Sequence, residues 1–221
     1  MVRRSQVTGF AVGHGPERGL KRRRQLSVLR AQLFSEWRVE SRSFKKQLDD
    51  SGMLFTFEQL GGIDGVSRWM TAAERYREFL GRVMATRYAK ESMIQDEMLN
   101  RIASLEAFHR TWSGIGENQM NLVRRLEGLV DHAGEPFEKL VGAGKTSTWC
   151  QKAKNHRNDI AHHLGRHPDL DVTELFYVGQ AAYWLFTICM LREAGAPQEV
   201  FDHMVACRHF IWESSEIQGI L

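Results

Sequence analysis

The residues best suited to chemistry lie close together in the C-terminal half, in the run Arg157-Asn158-Asp159-Ile160-Ala161-His162-His163. An arginine carries a permanent charge and a planar fork of N–H donors that matches two phosphate oxygens. A histidine takes up and gives back a proton near neutral pH. Arg157 and His162 therefore have what is needed to bind an anionic group and to move a proton beside it. Asn158, four residues before His162, shares its helical face and could either orient the imidazole or contact the ligand. Composition makes the pattern rare: 22 Arg, 5 Asn and 9 His in 221 residues predict about 0.02 occurrences of Arg-Asn followed by His at this spacing. The candidate catalytic set is Arg157, His162 and Asn158. Asp159, placed to tether Arg157, and His163, a second proton carrier, support it. A plainer alternative stays open, because the helix macrodipole favours cations near a helix C-terminus whether or not they have a catalytic duty.

On a regular helix, five residues advance about 7.5 Å and turn two side chains about 140° apart. One helix cannot easily aim Arg157 and His162 at the same phosphate. Two copies of the helix facing each other across a two-fold axis could, by pooling two arginines and two histidines in a composite site.

Other motifs carry less. Gly144-Lys145-Thr146 resembles the end of a phosphate-binding loop, but the glycine required five residues earlier is Lys139 and no buried strand precedes it. Cys150, His156, His162, His163, His167, His203 and Cys207 show no metal-ligand spacing, so neither a metal nor a cofactor is expected. Glu106 reads as the structural partner of an arginine, and His109 as lying opposite the apolar stripe of its helix. Phe176, Tyr177, Tyr183, Trp184 and Phe186 read as core.

The elements that must position these groups are helical. Leucine, methionine and aromatic residues recur at three-to-four spacing over Val66–Tyr88, Glu91–Trp112 and Asn118–His132. Gly134 and Pro136 end the third run, and a fourth covers about Ser147–His162. Asp171 with Glu174 starts a fifth, which Gly195 stops, and Pro197 opens the last. Met53–Phe57 could be a short strand or an extended lead-in. The expected fold is an all-α, antiparallel bundle of five to six helices. The segment Leu175–Leu191 lacks a formal charge over 17 residues, at the short limit for a membrane span. It reads better as the central helix of the bundle, and no membrane association is expected.

Charge is unevenly spread. Residues 1–46 hold 12 Lys/Arg against 3 acids, whereas the remainder holds 18 against 24. Residues 1–50 are therefore expected to form a basic, flexible arm, in which Arg22, Arg23 and Arg24 could contact a polyanion. Residues 51–90 are expected to form a lead-in and first helix, and residues 91–215 the bundle. Three scattered cysteines cannot build a disulfide framework and fit a reducing, cytoplasmic compartment. No secretion signal is read at the N-terminus, because no apolar run of sufficient length follows its basic residues.

The pattern Arg157-Asn158-x-x-x-His162 resembles the signature of HEPN domains. Phe55-Thr56-Phe57-Glu58-Gln59-Leu60, Trp69 and Ser104-Leu105-Glu106-Ala107-Phe108-His109-Arg110 narrow the resemblance to ApeA-like HEPN proteins over about residues 53–215. Such proteins usually carry a large N-terminal domain where this sequence has its basic arm. The resemblance implies a HEPN-type helical bundle and a homodimer with a composite active site. It also implies a metal-independent endoribonuclease of anti-phage defence, cutting tRNA or single-stranded loops of RNA by attack of the 2′-hydroxyl. Two other readings remain: a non-catalytic helical module that binds RNA or a nucleotide or dimerises, and a regulatory interaction domain.

Overall fold

The computed structural model describes residues 53–88, 92–163 and 171–221, all within one compact unit. The basic arm, with Arg22, Arg23 and Arg24, lies outside the described residues, as does His167. Among the described residues there are nine helices and no strand. They are α1 (Gly62–Arg75), α2 (Arg77–Tyr88), α3 (Ile94–Ser113), α4 (Leu122–Ala133), α5 (Glu135–Val141), α6 (Thr146–His163), α7 (Val172–Glu193), α8 (Gln198–Ala206) and α9 (Arg208–Ile220), with one 3₁₀ turn at Glu117–Gln119.

The all-α architecture matches the periodicity, and α7 occupies its centre. Helix α7 packs against α1, α3, α4, α5, α6 and α9, which is why its sequence is apolar nearly all round. It is long and apolar enough to cross a membrane by length and composition, and 67% of its apolar window is buried among the other helices. Its start is defined by Asp171, whose carboxylate accepts from the amides of Thr173 and Glu174.

Nine helices stand where five to six runs are legible because two runs break and one helix is too short to show a period. The run Val66–Tyr88 breaks at Tyr76, which leaves helical geometry between α1 and α2. Its ring stacks on Phe108 with centroids 4.4 Å apart, and its hydroxyl donates to Glu193 Oε2 at 2.6 Å. A buried aromatic with a satisfied hydroxyl outweighs one more helical hydrogen bond. The last run breaks at Cys207, whose Sγ accepts from Phe210 N at 3.4 Å and caps α9. Gly134, at φ 68°, ends α4, and Pro136 sits in the first turn of the short α5 that follows. The 53–60 segment forms no strand. Thr56 and Gln59 close it into a turn, each side chain accepting from the other's backbone N–H at 2.8 and 3.2 Å. Gly65 packs so tightly on this turn that an added Cβ would sit 2.0 Å from the Leu60 carbonyl oxygen.

His109 does not lie opposite the apolar stripe of α3; it is buried. Its Nδ1 is 3.2 Å from Ser113 Oγ and 3.3 Å from Arg125 Nη1. Arg125 on α4 is itself fully buried. It donates to the carbonyls of Met120 (3.1 Å), Ile115 (3.2 Å), Glu117 (3.1 Å) and Gly116, gathering the α3–α4 connection around one guanidinium. At about 100° per residue His109, four residues after Leu105 and seven after Ile102, falls on the stripe itself, and the buried guanidinium of Arg125 gives its imidazole a polar partner there. All three cysteines are free and buried.

Candidate functional site

Helix α6 carries the Arg-Asn-x-x-x-His motif, and its buried face determines where the motif points. Trp149, Cys150, Ala153, His156 and Ile160 are buried at three-to-four spacing, and Trp149 Nε1 donates to Val178 O on α7 at 3.3 Å. With that face committed to the core, Gln151, Lys154, Arg157 and Asn158 line a groove of about 700 Å³. Its other wall comes from Glu106 on α3 and from the start of α4, where Met120, Leu122 and Val123 supply apolar surface and Arg124 and Glu127 supply charge.

Arg157 is half-buried, and its Nη1 donates to Asn158 Oδ1 at 3.3 Å. Asn158 is thus engaged with the arginine rather than with His162. Asp159 is half-buried on the same helix, and no ion pair joins it to Arg157 among the described residues. His162 is exposed on the last turn of α6 and lies outside the groove lining. The side chain of His163, which closes the helix, lies outside the described residues. Within one chain, then, Arg157 and Asn158 come together and His162 stands apart, as a rotation of about 140° along one helix requires.

The groove's electrostatics are mixed. Lys154 and Arg157 are one turn apart on α6, and Arg124 adds a third cation, 3.8 Å from Glu127. Helix α4 opens at the groove with Asn121 Oδ1 accepting from Arg124 N at 3.0 Å. Its N-terminal dipole adds partial positive charge. Glu106 is half-buried and in no ion pair among the described residues, so the reading of it as an arginine's structural partner does not hold there.

Behind the motif, Glu174 in the first turn of α7 grips α6 with both oxygens. Oε1 meets His156 Nε2 at 2.8 Å, and Oε2 accepts from Lys152 Nζ. Burial alone pushes the Glu174 carboxyl up, but the bonds and charges of Lys152 and His156 outweigh it and hold the carboxyl below its ordinary range. The clamp fixes the turn of α6 immediately before Arg157. Among the described residues no group of three His, Cys, Asp or Glu side chains is arranged to hold a metal ion.

A family model described as Apea-like HEPN matches residues 69–200. The chain belongs to the Apea-like HEPN family. The matched span of this HEPN protein runs from α1 into α8 and includes the Arg157–His162 motif, the groove and the Glu174 clamp. No curated protein and no solved structure matches the chain.

Periodicity and motif spacing locate Arg157 and Asn158 but miss the rest of the groove. Lys154, three residues before Arg157 on the same helical face, was open to inference from sequence. Glu106 and Arg124 come from other helices, and nothing local in the sequence joins them to Arg157.

Proposed function

We propose that this HEPN protein is a metal-independent endoribonuclease of anti-phage defence, acting on tRNA or single-stranded RNA loops as a homodimer. The observation that carries this reading is the groove in which half-buried Arg157, Asn158 and Lys154 converge. It offers an RNA strand charge-assisted donors for its phosphates and an apolar wall for its bases. In the reaction, the 2′-oxygen attacks phosphorus and the P–O5′ bond breaks. The 2′-hydroxyl proton passes to an imidazole, and a proton is returned to the departing 5′-oxygen, leaving a 2′,3′-cyclic phosphate. Arg157 stabilises the charge gathering on the phosphate. His162, exposed at the end of α6, supplies the imidazole to the groove of a second copy. Loops are the preferred substrates because in-line attack needs a backbone free of A-form constraint.

Incubating the protein with tRNA in EDTA tests this. Cleavage with cyclic-phosphate ends that falls by about 10²–10⁴-fold in His162→Ala, and falls in Arg157→Ala, supports it. RNA left intact with and without a phage-infection trigger refutes it. The position of His162 outside the groove also favours a second reading, a non-catalytic RNA- or nucleotide-binding module. In that case Arg157→Ala weakens binding, while His162→Ala changes nothing.

A further inference from the structure

We propose that the groove beside Arg157 reads a base as well as a backbone, with Glu106 selecting guanine. The inference rests on the reading of the groove as an RNA site and starts from a charge that the phosphate-binding role does not explain. Lys154, Arg157 and the N-terminus of α4 all favour an anion. A carboxylate in the same groove repels one. Of the two carboxylates there, Glu127 is answered by Arg124 at 3.8 Å. Glu106 is in no ion pair among the described residues, so both its oxygens are acceptors without a cation.

A ligand that satisfies the whole groove must present phosphate oxygens to the α6 cations and N–H donors to Glu106. A nucleotide does both, and about 700 Å³ lies within the range of small-ligand sites. The four bases differ in what they would offer a carboxylate. On its Watson–Crick edge guanine has two adjacent donors, the N1–H and an N2–H, matching the two oxygens of one carboxylate. Adenine and cytosine each set a single amino group beside an acceptor nitrogen, which would face the second oxygen unfavourably. Uracil's one imino N–H lies between two carbonyls. Bidentate pairing therefore singles out guanine, while Met120, Leu122 and Val123 supply an apolar surface for its ring.

The test is equilibrium titration of the full-length protein with the 5′-monophosphates of guanosine, adenosine, cytidine and uridine, followed by calorimetry or NMR. GMP should bind about tenfold more tightly than UMP, the scale of one good bidentate contact. Glu106→Gln keeps the side chain's shape and should bring the four ligands to within about twofold of one another without weakening UMP. Glu106→Asp, one methylene shorter, should keep the charge and lose most of the preference. Unchanged thermal melts for both variants show that the groove still folds. Four nucleotides binding alike to the unaltered protein, or none binding, overturns the proposal. A Glu106→Gln loss that is equal for all four also overturns it, since it would assign Glu106 to the ribose or to the scaffold. Because no bond is cut in this assay, guanine preference without RNA cleavage would retain the inference and reject the nuclease. Cleavage without base preference would do the reverse.

Discussion

Replacing Arg125 by alanine tests how the groove's wall is held. Arg125 is fully buried and donates to four backbone carbonyls between Ile115 and Met120, besides approaching His109. Gly116 and Glu117 are exposed, so their carbonyls would recover water in the variant. Ile115 and Met120 are half-buried, and their carbonyls would be left poorly satisfied at about 1–3 kcal/mol each. Removing the buried stem adds the loss of its packing, so the expected destabilisation is about 3–4 kcal/mol. Urea denaturation at neutral pH measures it, and amide hydrogen exchange over residues 115–121 localises it. Because Met120 and Asn121 line the groove, a loosened connection should also weaken nucleotide binding. A midpoint shift worth less than about 1 kcal/mol, with exchange in 115–121 unchanged, would refute the argument that one cation organises this connection.

Two further outcomes are expected. Burial lowers the proton affinity of His109, and the Arg125 charge lowers it further; His132 is lowered mainly by burial. The unfolded chain therefore takes up these protons first, so stability is full above the ordinary imidazole value of 6.5 and falls as pH drops below it. Glu174, whose carboxyl is depressed, contributes in the same direction, its share being lost as pH falls below the ordinary value of 4.5. Urea midpoints measured from pH 8 to 4 should decline in that order, and a profile flat between pH 7 and 5 would contradict the histidine assignments. In the second, Gly128→Ala places a Cβ 3.0 Å from His109 Nε2, a ring already held by Arg125 and Ser113. It should lower stability by about 1 kcal/mol despite alanine's helix preference, whereas Gly81→Ala, with open space at its Cβ, should raise it by about that amount.

What could be read from the sequence follows the range of the forces involved. Local signals were legible. Asp171 caps α7 as its position before Glu174 implies, and the apolar spacing of Trp149, Ala153 and Ile160 commits one face of α6 to the core and leaves Arg157 half-buried at its flank. Interactions between distant residues were not. The break at Tyr76 depends on Glu193, and the polar pairing of His109 on Arg125; each partner belongs to another helix. The groove follows the same rule. Arg157 is visible in its motif, whereas Glu106 and Arg124 reach it only through the packing of α3 and α4 against α6.

The three sequestered thiols make a built-in set of reporters. Cys150 is on α6, Cys189 on α7, and Cys207 at the joint between α8 and α9. Burial first, with the nearby charges of Glu127 and Asp131, pushes the Cys150 thiol up to about 12; burial drives Cys189 higher still. Neither sulfur is an effective nucleophile while the helices stay closed. The rates at which an alkylating reagent consumes Cys150 and Cys189 would therefore time the opening of α6 and α7, with no residue changed.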